Sequence, residues 1–204
     1  MSEPPHRGRL VPLTPREWSE RTGQALEGTR ERVARLEGRP APSAGKPLAI
    51  LATIARHPAL LEPFLGWSAT LALRGELSRR DSDLLALRAA WNCRSAFEWG
   101  HHVLYARAAG LSDAEIERVA GGPAATGWSV DDADLLRAAD ELHDAQDLSA
   151  GTWARLRSRF TDAQLVEIPF VVGQYTMLSM VANATGVPVE DGLAPLPEAA
   201  PEPD

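Results

Sequence analysis

With 204 residues, 44% of them apolar, the chain is long enough for one well-filled domain. A net charge of −7, its basic residues interspersed with acids, leaves no cationic stripe and argues against nucleic acid as a partner. The single cysteine, Cys93, rules out an intrachain disulfide and suits a reducing compartment. The N-terminal run MSEPPHRGRLVPLTP lacks the apolar stretch of a signal peptide, so a cytoplasmic protein is expected.

The helix signals come in chain order. Thr14-Pro15-Arg16-Glu17 offers a capping residue, a first-turn proline and an acid three residues on, predicting a polar helix to about Leu36 that Gly38-Arg39-Pro40 ends. Leu48, Leu51, Ile54 and Ala55 follow helical spacing to Arg56, and after His57-Pro58 a second apolar helix runs through Leu61, Phe64, Leu65 and Leu71 to Gly75. Ser78 with Asp81 caps the next, whose broad apolar face holds Leu84, Leu85, Leu87 and Trp91. Another starts near Ser95 and closes at Gly110, a left-handed cap. Ser112 with Glu115 opens a short helix that Gly121-Gly122-Pro123 stops. Ser129 and Ser149 precede two more, and Thr161-Asp162-Ala163-Gln164 opens the last and most apolar helix, which runs to Thr185-Gly186.

Within that last helix, Ile168 to Ala184 is interrupted by Pro169, Gly173, Gln174 and Asn183. It falls short of the ~20 apolar residues a membrane span needs and reads as a buried core helix. Asn183 reads as a helix C-terminal cap. No stretch alternates as a half-buried strand does. The fold class is all-α, one domain over residues 13–192, with disordered proline- and acid-rich tails at 1–12 and 193–204.

Chemistry concentrates between Asp83 and Gly110. Glu98 and His102 stand one turn apart on an otherwise apolar helix, so both side chains leave the same face. A histidine titrating near neutrality is set as acid or base by such a neighbour. Phe97 and Trp99 flank the acid and Gly100 permits close helix approach; of His101 and His102, only His102 shares the Glu98 face. Each residue alone also fits a structural role, Glu98 as a solvated acid and His102 as a satisfied core histidine. Arg88 has no acid three or four residues away, so it needs a distant partner. That partner is Asp83, another structural acid on a packed helix, or a substrate carboxylate, for which a planar guanidinium is well shaped. Gln174 and Tyr175 sit among apolar residues and either satisfy core backbone or line a pocket. The set Glu98, His101 and His102 does not supply three well-directed metal ligands, and no HExxH, CxxC, hydrolase, phosphate-loop or dinucleotide motif occurs. No metal is expected.

The run RDSDLLALRAAWNCRSAFEWGHHVLYARAAGLSDAEI resembles the carboxymuconolactone decarboxylase family within the broader alkylhydroperoxidase D (AhpD)-like fold. The likeness extends through GGPAATGWSVDDADLLRAADELHD and VGQYTMLSMVANATGV, roughly residues 40 to 190. In the peroxidase branch of that family an upstream glutamate precedes CxxC and a histidine four residues past the second cysteine. Here those places are held by Asp83, by Ser95 and Glu98, and by His102. With both cysteines missing, and Cys93 lying about 200° around a helix from the first cysteine place without a resolving thiol, the family's thiol peroxidase route is not available. What remains resembles the decarboxylase-like branch, with its aromatic-Glu-Trp-x-x-His segment. The resemblance implies an all-α homo-oligomer (dimer, trimer or hexamer), pockets near subunit contacts, no cofactor, and loss of carbon dioxide from a carboxylated lactone with double-bond movement.

The leading expectation is a cofactor-independent lyase or isomerase acting on a small carboxylated or carbonyl-bearing molecule. His102 moves the proton, Glu98 orients it and Asp83 extends the relay. Arg88 or Tyr175 holds substrate oxygen, with Gln174, Trp99 and His101 as further substrate contacts. The rivals are a redox protein using Cys93 and a non-catalytic binding or scaffold protein on the same fold.

Overall fold

The computed structural model describes residues 8–36 and 48–198, all helix, turn or irregular chain with no strand among them. The all-α fold class is what the structure shows. Nine helices are described: α1 (Glu20–Leu36), α2 (Ala49–Ile54), α3 (Pro58–Arg74), α4 (Arg79–Asn92), α5 (Ala96–Ala108), α6 (Asp113–Val119), α7 (Val130–Asp144), α8 (Ala150–Arg159) and α9 (Asp162–Thr185). The predicted caps form. The hydroxyls of Ser78, Ser95, Ser112, Ser129 and Ser149 each accept the backbone N–H three residues on, and Gly110 adopts a φ of 96° past the end of α5, which glycine does without steric cost.

The first helix differs from its prediction. The capping box at Thr14 and Glu17 forms, but it opens only a 3₁₀ turn, Pro15–Glu17. The chain is extended at Trp18, and Ser19 starts again, its hydroxyl accepting the Thr22 N–H at 3.1 Å. A second good cap five residues downstream thus takes the helix from the first. The predicted stop at Gly38-Arg39-Pro40 lies outside the described residues.

The described residues divide into two compact units, one formed by those up to residue 75 with 184–188 and the other by 76–183 with 189–198. In the first, Leu26, Ala55, Leu61 and Leu65 are buried together, with Leu13, Trp18, Leu51 and Phe64 packed around them. Part of the stretch expected to be a disordered N-terminal tail is described here: Gly8 N–H donates to the Gly186 carbonyl at 3.0 Å and Leu10 N–H to that of Thr185 at 2.9 Å.

The second unit is built around α4, which packs against α5, α6 and α7. Leu84, Leu85, Ala86, Leu87, Ala89 and Ala90 are fully buried, so the helix has almost no solvated face, and every charge on it must find a protein partner. Asp81 takes Arg159 at 3.0 and 3.1 Å, and Arg80 takes Asp132 at 2.5 Å. The C-terminal segment returns to α5. A side chain at Gly100 would come within 2.9 Å of Leu193 Cβ, which gives the glycine its packing reason. Asn183 corrects its own expectation: rather than capping α9, its amide donates to the Cys93 carbonyl at 2.8 Å and ties α9 to the turn after α4.

Among the described residues, α9 is the one helix that length and composition would allow to cross a membrane; 44% of its most apolar window is buried inside the protein. The expected shortfall in length is thereby corrected, since Pro169 sits inside an unbroken 24-residue helix. Its inner face is committed to the protein: Glu167 accepts the Leu77 N–H at 3.2 Å, and Gln174 and Ser179 are buried.

Candidate active site

Three helices of the second unit bring the predicted proton-transfer residues together. Capped at Ser95, α5 places Glu98 and His102 on one face; α4 supplies Asp83 and α9 supplies Tyr175. His102 then has a carboxyl group at each ring nitrogen: Asp83 Oδ1 lies 3.1 Å from Nδ1 and Glu98 Oε2 lies 3.7 Å from Nε2. Asp83, Glu98 and His102 are only 2%, 4% and 4% exposed. The Tyr175 ring meets the imidazole edge-on with centroids 4.2 Å apart, and Tyr105, one turn beyond His102, does so at 5.5 Å.

The distances divide the labour differently from the sequence expectation. At 3.1 Å Asp83 is in hydrogen-bond range and fixes the ring through Nδ1–H; at 3.7 Å Glu98 is outside it. Asp83 is therefore the orienting group, and Glu98 faces the nitrogen left to exchange protons. Burial raises the Glu98 carboxyl pKa, with His102 and His101 pulling it only part of the way back, so Glu98 holds its proton to higher pH than a solvated glutamate. Burial, followed by the charges of Asp83 and Glu98, likewise pushes the Tyr175 phenol up, which keeps it a neutral hydrogen-bond donor. Asp83 Oδ2 and the side-chain oxygen of Gln174 are buried and accept no hydrogen bond among the described residues.

Sequence reasoning missed Arg79. Its guanidinium lies 3.7 Å from Asp83 Oδ2, and its side chain is 56% exposed, so it joins the buried relay to the surface. The four-residue spacing of Arg79 and Asp83 along α4 was the available signal.

Three expected substrate contacts are corrected. Arg88 is fully committed elsewhere: Nε and Nη2 donate to the two Asp140 oxygens at 2.5 and 3.0 Å, and Nη1 to the carbonyls of Val119 and Ala120 at 2.8 and 3.3 Å. Its distant partner is thus a structural acid, Asp140 rather than Asp83. Trp99 is buried, its ring tilted against Trp91 at 6.1 Å, and serves the core. His101 pairs Nε2 with Glu190 at 2.9 Å and sets its ring at a tilt against Phe97, centroids 4.5 Å apart. A hollow of about 690 Å³ lined by Trp128, Arg137 and Arg155 among others holds none of the predicted residues.

Residues 58–141 match the sequence profile of the carboxymuconolactone decarboxylase family. The fold of the chain is AhpD-like. A protein of unknown function from Agrobacterium tumefaciens, whose description proposes AhpD-type antioxidant defence, is 21% identical with a TM-score of 0.60 over 67% of this chain and 96% of its own. An uncharacterized peroxidase-related protein from Silicibacter sp. TM1040 is 19% identical with a TM-score of 0.69, over 94% of this chain and 96% of its own. The debrominase Bmp8 in complex with 2,3,4-tribromopyrrole is 14% identical with a TM-score of 0.65, over 89% of this chain and 91% of its own. At such identities the likeness is one of fold. No curated protein matches the chain.

Ser95, which the resemblance set at the first cysteine place, is fully buried, its hydroxyl spent on capping α5. Cys93 sits in the preceding turn, half-buried, with Sγ 3.8 Å from His143 Nδ1. Burial raises its thiol pKa, and the hydroxyls of Thr176 and Ser179 offset this only in part. A thiol so placed stays protonated at neutral pH and is a poor nucleophile.

Proposed function

We propose that this chain is a cofactor-independent acid/base enzyme, a lyase or isomerase of the carboxymuconolactone decarboxylase type, acting on a small carboxylated or carbonyl-bearing molecule. One observation carries the reading: a buried imidazole with Asp83 at one nitrogen and Glu98 at the other. A purely structural histidine would hold both ring nitrogens in hydrogen bonds, whereas here Asp83 is within that range of Nδ1 and Glu98 faces Nε2 from 3.7 Å. Two carboxyl groups, one with its pKa raised by burial, form a proton-transfer unit of the kind perturbed groups mark at functional sites.

In this reading Asp83 holds the Nδ1–H tautomer, and Nε2 accepts or delivers the proton that Glu98 exchanges with it. In a decarboxylation the bond to the carboxylate breaks and its electron pair passes into a dienolate. The neutral Tyr175 phenol donates to the enolate oxygen, with Gln174 lining the same region, and His102 delivers a proton to carbon. A dehydration, double-bond shift or cyclisation uses the same parts. The raised pKa and lack of a resolving thiol weigh against redox chemistry at Cys93.

The test is a panel of carboxylated lactones and unsaturated keto acids incubated in D₂O. Carbon dioxide release and deuterium at carbon, both falling roughly 10²-fold in His102→Gln and persisting in Cys93→Ser, are the expected result. Turnover that survives His102→Gln in a folded protein, or a panel that is neither turned over nor bound, overturns the proposal.

A further inference from the structure

The hollow beside α7 shares no residue with the His102 cluster, and its walls are of two kinds. About 690 Å³ in volume, it has the size of a small-molecule site. Pro123, Trp128, Val130 and Ala133 give it apolar surface, and Arg137 on α7 and Arg155 on α8 give it charge. The two guanidinium groups are held by a single atom. Asp134, only 6% exposed, has Oδ1 at 2.5 Å from Arg137 Nη1 and at 2.7 Å from Arg155 Nε. Arg155 also donates to the Thr152 hydroxyl at 3.1 Å. The other donors of the two side chains, which are 37% and 43% exposed, make no bond among the described residues.

One carboxylate oxygen between two guanidinium groups leaves a positive charge unmatched, and like charges so close repel until an anion joins them. Charge accumulates around Trp128 as well. Arg118 donates to the Gly127 carbonyl at 3.1 Å, its guanidinium stands 5.0 Å from the Trp128 ring centre, and it pairs with no carboxylate among the described residues. The neighbouring acids are already engaged. Asp131 faces Arg159 and Asp132 faces Arg80. Glu141, which attracts Arg137, already accepts from the N–H and hydroxyl of Ser149 and from the Thr152 hydroxyl. On a chain of net charge −7, the hollow is a local reversal of sign, and such a concave patch draws anions.

We propose that this hollow is a second binding site, for a small carboxylate with a flat aromatic or unsaturated body. The carboxylate bridges Arg137 and Arg155 and supplies the charge that Asp134 leaves unmatched; its two oxygens suit the planar fork of guanidinium donors. The body lies against the indole of Trp128, a flat apolar surface. Inorganic phosphate answers the charge but not the apolar wall. The site stands whether or not His102 turns a substrate over, because none of its residues belongs to that relay.

Benzoate is the probe, titrated calorimetrically into the full chain at low ionic strength. A Kd of about 1 mM or tighter is expected, with neutral benzamide and inorganic phosphate each roughly 10-fold weaker or more. Arg137→Gln and Arg155→Gln should each weaken benzoate roughly 10-fold or more with helical circular dichroism unchanged, since Asp134 keeps the other guanidinium. Arg137→Lys retains the ion pair with Asp134 but not the fork, and is expected to weaken benzoate as well. Arg157→Gln removes the same charge from α8 outside the hollow and should leave the affinity intact. Absence of benzoate binding at millimolar concentration, equal binding of benzamide or phosphate, or an affinity that survives the Arg137 and Arg155 substitutions overturns the proposal. An equal loss in Arg157→Gln overturns it too, because the attraction is then one of general charge.

Discussion

Asp83 and Arg88 lie five residues apart on the same buried helix, and their surroundings are opposite in kind. Arg88 donates to both oxygens of Asp140 and to two backbone carbonyls, while Asn92 adds a further bond to Asp140 at 2.9 Å. Asp83 gives one oxygen to His102 and keeps the other without a hydrogen bond. The first cluster is saturated and holds α4, α7 and the end of α6 in place. The second retains hydrogen-bonding capacity where it costs most, inside the protein. Burial of charge is common to both; unused capacity distinguishes the candidate site.

Breaking the saturated cluster should have the largest effect. Arg88→Ala leaves Asp140 and two carbonyls without their donors, and removing one partner of a buried pair costs about 3–5 kcal/mol. Urea denaturation is expected to show a loss of that size, with ligand affinity per folded molecule unchanged. A small stability loss accompanied by lost ligand binding would return Arg88 to the site and dissolve the contrast with Asp83.

In the unsaturated cluster the effect should fall on turnover instead. His102→Gln and Glu98→Gln are each expected to lower it by roughly 10² or more, and the double variant by far less than the product. Glutamine at 102 still offers Asp83 an N–H, so the stability loss should be well below that of Arg88→Ala. Melting temperatures and rates on the two single variants and the double one separate the two roles. A pair that costs stability but leaves the rate per folded molecule intact is structural.

Glu98 sharpens the contrast through pH. Its carboxyl pKa is raised in the folded state, so folding favours the protonated form, and the stability tied to it is fully present below the unfolded value of 4.5. It is lost as pH rises through the raised folded value. Glutamine cannot ionise. The melting temperature of Glu98→Gln minus that of the wild type should therefore increase with pH from about 4.5 upward. Glu115 and Glu141, whose pKa values are lowered, contribute the opposite slope to both proteins and cancel in the difference. A flat difference means that Glu98 is solvated.

What the sequence disclosed was local. Serine caps and the helical period located α4 to α9 because a cap and the N–H it accepts lie three residues apart, and Glu98 with His102 was legible for the same reason. Arg88 was not, since its acid lies 52 residues away on α7 and spacing on one helix says nothing of the neighbour's face. The place of Asp83 came only through the family resemblance; no periodicity predicts which carboxylate reaches Nδ1 of a histidine 19 residues on. The late start of the first helix turned on competition between two good caps, Thr14 and Ser19. Gly100 was read as permitting a close approach, but its neighbour, Leu193, sat in a segment expected to be disordered.

The smallest effect should come from Cys93, which lies in neither cluster. Its thiol pKa is raised by burial, and the hydroxyls of Thr176 and Ser179 restore only part of the shift, so at neutral pH the reactive thiolate is scarce. Iodoacetamide should label folded Cys93 more slowly than it labels the unfolded chain, the gap narrowing as pH rises. Cys93→Ser replaces a half-buried thiol 3.8 Å from His143 with a smaller hydroxyl that can still meet the imidazole, and should cost about 1 kcal/mol or less. Turnover should be unchanged, because His102 with Asp83 and Glu98 contains no sulfur. Loss of activity in a folded Cys93→Ser protein, or labelling faster than in the unfolded chain, would move the chemistry from the imidazole to the turn between α4 and α5.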